Sequence, residues 1–182
     1  MQPWYIATET FSPHDGEAWE KYVAWSGLTQ LDEVVSLDSM ICPTILGDIG
    51  EDYWAHIVNE DFMLNFFVDL DFLLAQLSLD VKRNLLCVFR NPAEPPTAAE
   101  LSTGSVTFEF LGYDLVDVMA TASALTNCGG FPEIFDNREL SSKGLLTSLA
   151  RAYEVQAALR ARYPDESHAD CHVWAIFRAV SA

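Results

Sequence analysis

Residues 141–180 read SSKGLLTSLARAYEVQAALRARYPDESHADCHVWAIFRAV, and this stretch carries the clearest secondary-structure pattern of the chain. Its first part, 141–163, repeats apolar residues at helical spacing, and Pro164 ends the pattern. Its last part, 171–180, is aromatic and β-branched, which favours a strand. A long C-terminal helix and a closing strand are therefore predicted. The helix is expected to present one face made of Leu145, Leu149, Ala152, Gln156 and Leu159.

The rest of the chain predicts several strands and further helices. Ser12 and Gly27 are the expected start and end signals of an N-terminal helix. Asp69 or Asp71 is the expected cap of a short helix that follows a hairpin. The predicted strands are 3–9, 32–39, 84–90 and 105–115; the hairpin pairs 52–58 with 62–68 through a polar turn at 59–61; and 91–104 is a predicted surface loop.

These elements predict the α+β class. We expect a single domain, 1–182, built on a mostly antiparallel sheet with one long C-terminal helix and one N-terminal helix packed on it. A chain of 182 residues, half of them hydrophobic, is long enough to bury a full core.

The charge of the chain is divided unevenly. Ten Lys and Arg stand against 27 Asp and Glu, a net charge of −17. Residues 1–81 hold 15 acids and a single base, Lys21, whereas residues 82–182 hold 12 acids and nine bases, so the net charges are −14 and −3. A field of this kind repels nucleic acid and anionic membranes and attracts basic proteins. The alternative is that the acidity serves only solubility.

The segment 48–80 concentrates this charge, with eight acids, no base and seven interleaved aromatic or histidine side chains. Charge accelerates the encounter with a basic protein, and aromatic anchors then hold the complex. The alternative is a hairpin with one solvated acidic face, whose aromatic residues belong to the core. The candidate binding residues are Asp48, Glu51, Asp52, Trp54, Glu60 and Asp61.

The cysteines and the hydropathy pattern predict a cytoplasmic protein. The four cysteines lie 41 to 45 residues apart, without metal or redox spacing, so free buried thiols in a reducing compartment are expected. The N-terminus has no basic segment typical of a signal peptide, and the longest uncharged run, 118–132, is too short to cross a bilayer. The glycine-rich cofactor signatures are missing from the sequence, so no cofactor is expected.

The sequence HADCH raises the question of a metal or catalytic cluster. In an extended chain, His168, Asp170 and His172 would share one face with Trp174 and Ile176, and Cys171 would face the core on the other side. Two imidazoles and a carboxylate could hold a metal ion. The alternative is a buried cysteine beside polar residues at the edge of a strand.

A second candidate for catalysis is Cys128 in LTNCGGFPEIF. The N–H groups of the two following glycines could form an oxyanion hole, and His168 or His172 could activate the thiol. The alternative is a Gly-Gly turn that lets Phe131 and Phe135 pack on the core.

The segments FEFLGYDLVD, SALTNCGGFPEIF, RAYEVQ and YPDESHADCHVWAIFR, all within 108–178, resemble small acidic bacterial proteins of unassigned activity. Some proteins of that size and charge are similar to immunity proteins, which cover the active site of a toxin. The function expected is therefore that of an acidic protein-binding module, an inhibitor of a basic toxin or nuclease, and not of an enzyme. The alternatives are a small hydrolase-like enzyme that uses a Cys/His or His/Asp metal site, and a structural subunit of a larger assembly.

Overall fold

A five-stranded antiparallel sheet organises the protein, in the order β1-β2-β5-β4-β3. The computed structural model describes residues 2–45, 51–58, 64–77, 83–96, 100–104, 106–120, 122–127 and 131–180. The strands are β1 (Trp4–Glu9), β2 (Arg83–Arg90), β3 (Glu100–Thr103), β4 (Val106–Val116) and β5 (His172–Ala179), and the helices are α1 (Glu17–Ser26), α2 (Leu70–Gln76) and α3 (Leu149–Arg162). The mixed α and β class and the antiparallel sheet that the sequence predicts are confirmed.

None of the helices in the described ranges has the length and apolar character that crossing a membrane requires.

The closing strand β5 lies at the centre of the sheet, and both of its faces are buried. Cys171, Val173, Ala175 and Phe177 belong to the apolar cluster that α3 covers, as their alternation predicts. Trp174 and Ile176 are fully buried on the opposite face. That face packs against Val35, Leu37, Leu64, Phe66 and Leu145.

The helix starts follow local capping chemistry. Ser12 caps a 3₁₀ turn, Pro13–Asp15, before α1 begins at Glu17, and Gly27 ends α1 with a φ of 70°. Asp69 caps α2 and accepts a hydrogen bond from the Phe72 N–H at 3.0 Å. Both helices are confirmed. α1 buries Trp19 and Tyr22 against Phe11, with ring centroids 5.4 and 5.3 Å apart.

The C-terminal helix is shorter than predicted. α3 begins at Leu149, capped by Ser148, and not at 141. The chain before the cap pairs with the sheet instead, since Leu146 exchanges two backbone hydrogen bonds with Tyr113 of β4, at 2.7 and 3.0 Å. Gly112 permits this approach, because a Cβ at that position would lie 2.7 Å from the Leu146 carbonyl oxygen. The buried residues of α3 are Leu149, Ala152, Val155 and Leu159.

Three other expectations differ from the structure. Residues 32–39 form an irregular segment and not a strand, with a single bridge from Val34 to Phe11. β3 lies inside the predicted loop 91–104 and pairs with β4. The first arm of the predicted hairpin opens with a 3₁₀ helix, Glu51–Ala55, although 56–58 and 66–68 do pair; the predicted turn lies outside the described residues.

Candidate functional site

The described part of the acidic segment presents one aromatic side chain to solvent. Trp54 lies in the 3₁₀ helix Glu51–Ala55, is 67% exposed, and contacts Tyr53 with ring centroids 4.5 Å apart. We use the term acidic surface for the described residues 51–58 and 64–77 of the segment 48–80, which holds eight acids in all. Of the predicted binding residues, Glu51 and Asp52 open the same 3₁₀ helix, whereas Asp48, Glu60 and Asp61 lie outside the described residues.

His56 fixes the 3₁₀ helix that carries Trp54 to helix α2. The His56 ring stacks on Phe72 with centroids 3.9 Å apart, and its Nδ1 lies 3.2 Å from Asp69 Oδ2. The Phe72 N–H, together with the neighbouring imidazole, holds the pKa of Asp69 below its usual range. Asp69 therefore stays charged at neutral pH while it caps the helix.

The acidic surface is also fixed to the edge of the sheet. Phe67 and Tyr5 of β1 exchange two backbone hydrogen bonds, at 2.8 and 2.7 Å. Phe66 and Phe67 are buried, so part of the aromatic content of this segment serves the core, as the alternative interpretation expects. Trp54 does not pack in the core. The segment that carries it is attached to α2 through His56 and to β1 through Phe67.

Most of the basic side chains are already engaged within the protein. Glu33 illustrates this: it bonds Lys143 Nζ at 2.6 Å and Arg178 Nη1 at 2.8 Å. Burial opposes the charge of Glu33, but the two cations outweigh it and hold its pKa below the usual range. Within the described residues, the cations that form ion pairs include Lys21, Arg138, Lys143, Arg151, Arg160, Arg162 and Arg178.

A cleft of about 470 Å³ lies where β2 and β4 end and β5 begins. Three residues of the HADCH sequence, Asp170, Cys171 and His172, line it together, with helix α3 forming one wall. We call it the His172 cleft. Its lining residues are Asn91, Val118, Tyr153, Gln156, Arg160, Asp170, Cys171 and His172.

Asn91 sets the orientation of His172. The Asn91 Oδ1 accepts from the Val173 N–H at 3.0 Å, so its amide nitrogen faces the ring and donates to His172 Nδ1 at 3.1 Å. In this arrangement Nδ1 of His172 is the hydrogen-bond acceptor. Asn91 holds this position with a φ of 48°, in the left-handed region that Asn tolerates.

His168 does not join the other two candidate ligands. The segment Ser167–Asp170 is a 3₁₀ helix and not an extended strand, so the predicted shared face ends at His172. His168 is buried with its ring edge against Phe131, 5.7 Å between centroids, and burial lowers the pKa of the imidazole. Across the described ranges no three His, Cys, Asp or Glu side chains form a group that could hold a metal ion.

The cysteines whose structure is described are buried thiols that resist ionisation. Cys42, Cys87 and Cys171 are free and buried. Burial raises the pKa of Cys87 and of Cys171 to about 12, and it also raises that of Cys42. Cys128, the predicted candidate nucleophile, lies outside the described residues together with both following glycines.

The structure contains a buried carboxylate network that sequence reasoning missed. Asp114 of β4 accepts hydrogen bonds from the hydroxyls of Ser36 and Ser123, both at 2.6 Å, and from the Leu37 and Leu115 N–H groups. Burial raises the pKa of Asp114 and of Asp38. The only available signal was the SLDS pattern at 36–39, which is typical of turns bonded by side chains.

No protein-family model matches the chain, and no curated protein or solved structure matches it.

Proposed function

We propose that this protein is an acidic protein-binding module of the immunity type, which inhibits a basic toxin or nuclease by covering it with the acidic surface. The observation that carries the proposal is the exposure of Trp54. A large aromatic side chain that is two-thirds exposed, within a segment of eight acids and no base, has the chemistry of an anchor for a cationic partner.

The charge distribution supports a protein partner. The net charge of −14 on residues 1–81 raises the rate of encounter with a basic protein. The anchoring of the segment through His56 and Phe67 supports binding further, because a surface that is ordered before the encounter loses less conformational entropy on association.

The same charges argue against nucleic acid as the partner. Binding to phosphates needs available Lys and Arg side chains, and within the described ranges Lys143, Arg151 and Arg178 already form close ion pairs with carboxylates of this chain. A basic protein, which supplies Lys and Arg side chains of its own, fits this surface better.

The enzyme alternative that uses a His168, Asp170 and His172 metal site receives less support from the geometry. His168 packs on Phe131 while Asp170 and His172 line the cleft, so the three residues do not converge. We place the action of the protein in the cytoplasm, where reducing conditions keep Cys42, Cys87 and Cys171 as thiols.

Co-production with a toxin tests this function in cells. The toxin-like product of a gene beside this one is produced alone and together with the protein. The proposal expects growth to be restored only by co-production. Continued toxicity at full expression of both proteins, for every such neighbouring product, contradicts it.

A further inference from the structure

We propose that the His172 cleft binds the zwitterion of a free α-amino acid, with Arg160 holding the carboxylate and Asp170 holding the ammonium group. This site goes beyond the proposed function and does not depend on it, because it is built from residues outside the acidic surface.

The two charged side chains of the cleft are only weakly engaged with each other. Arg160 Nη2 lies 3.6 Å from Asp170 Oδ1, which is beyond hydrogen-bonding distance, and the side chains are 63% and 76% exposed. An exposed pair of this length contributes little to stability. A ligand with both charges can therefore separate the pair and replace it with two closer contacts.

The guanidinium is oriented for this role. Arg160 Nε donates to the Ala169 carbonyl at 3.3 Å, which ties the side chain to the turn that carries Asp170. The planar guanidinium can present two parallel N–H groups to a carboxylate, whereas a lysine could not.

The neutral walls of the cleft are also held in place. Gln156 Nε2 donates to the Cys171 carbonyl at 2.6 Å, and the Tyr153 hydroxyl donates to the Pro92 carbonyl at 2.9 Å. Val118 is 42% exposed and offers an apolar contact for an aliphatic side chain. The volume, about 470 Å³, is within the range of about 300–1,000 Å³ that is usual for small-ligand sites.

The charge pattern discriminates between ligand classes. A simple anion in the cleft would meet the Asp170 carboxylate, and a simple amine would meet the Arg160 guanidinium. Only a ligand with both charges at short separation satisfies the two residues together.

Amide chemical shifts measured by NMR during titration with L-leucine test the site. We expect saturable shifts at Asn91 and His172, with a dissociation constant at or below about 1 mM. N-acetyl-L-leucine lacks the ammonium group and L-leucinamide lacks the carboxylate, so each should bind at least about tenfold more weakly. Absence of saturable shifts with L-leucine, or equal binding of either analogue, overturns the proposal.

Matched variants test the two charged residues. Arg160→Gln and Asp170→Asn should each weaken L-leucine binding by about tenfold or more. The control is Arg162→Gln: Arg162 lies on the same helix and forms a similarly long pair with Glu133, at 3.7 Å, but does not line the cleft. Unchanged binding in the two cleft variants, or an equal loss in the control, contradicts the assignment. Thermal unfolding verifies that all three variants are folded.

Discussion

The hydroxyl of Ser123 donates a hydrogen bond to Asp114 at 2.6 Å, and neither residue has any exposed surface. The Ser123 N–H donates at 2.8 Å to Asp38, which is equally buried. Ser123 thus links its own segment to β4 through Asp114 and to the irregular segment 32–39 through Asp38. In the middle of an apolar core, such groups are tolerated because their oxygens are bonded.

Removing the Asp114 carboxylate should destabilise the protein strongly. Asp114→Ala leaves the Ser36 and Ser123 hydroxyls and the Leu37 N–H without their acceptor, so we expect the free energy of unfolding to fall by about 3 kcal/mol or more. Urea unfolding measures the change. The control is Asp165→Ala, at an exposed position, which should shift stability by no more than about 0.5 kcal/mol. A loss below about 1 kcal/mol for Asp114→Ala would show that the network is not structural.

The same network predicts that stability rises on mild acidification. The pKa values of Asp38 and Asp114 are raised by burial, so the folded state binds protons more readily than the unfolded state. The stability that this contributes is present at low pH and is lost as pH rises through the folded pKa values. Urea midpoints should therefore increase as pH is lowered from neutral through the folded-state pKa values of these two carboxyl groups.

At still lower pH the trend should reverse. The pKa values of Glu33, Asp69 and Glu139 are lowered by their partners, and the stability they contribute is lost as pH falls through those folded pKa values. Mild acidification also reduces repulsion among the 27 acids, which raises stability independently of Asp114. The Asp114→Asn variant separates the two effects and serves as the control. We expect its midpoint to rise less steeply. A wild-type midpoint that falls throughout this range, or an unchanged slope in the variant, contradicts the prediction.

Thr8 and Asn84 offer a substitution that should stabilise the fold. They lie directly opposite each other on β1 and β2, both buried, and within the described residues Thr8 Oγ1 and Asn84 Nδ2 have no hydrogen-bond partner. Thr8→Val removes one unpaired group at nearly constant volume, so stability should rise by about 0.5–1 kcal/mol. Thr8→Ser keeps the hydroxyl but loses a methyl group, and should destabilise. A loss of about 1 kcal/mol or more in Thr8→Val would indicate that the hydroxyl is bonded.

The parts of the fold that could be predicted are those with a strong local signal. Ser12, Gly27 and Asp69 act at the helix ends as their residue types indicate. The alternation of Cys171, Val173 and Phe177 identified the face of the central strand that α3 covers, although the opposite face is buried as well. These features depend on neighbouring residues along the chain, which is the information that periodicity contains.

The parts that could not be predicted depend on distant partners. Residues 141–146 have helical periodicity, but the pairing of Leu146 with Tyr113 of β4 determines their conformation. Residues 32–39 have the composition of a strand, yet the Asp114 carboxylate takes the Leu37 N–H that a neighbouring strand would have used. His172 and Asn91 are 81 positions apart, so their contact in the cleft has no local signal either.

The role of Trp54 as an anchor is tested by comparing Trp54→Ala with Trp25→Ala in binding to basic toxins and nucleases, including products of the neighbouring genes. Trp25 is similarly exposed, at 55%, but lies on α1 outside the acidic surface. We predict a complex that weakens steeply between about 20 and about 200 mM salt, loses about tenfold or more in affinity in Trp54→Ala, and is unchanged in Trp25→Ala. If no complex forms with any of these proteins at the lower salt concentration, or if the two variants lose affinity equally, the proposed role of Trp54 is contradicted.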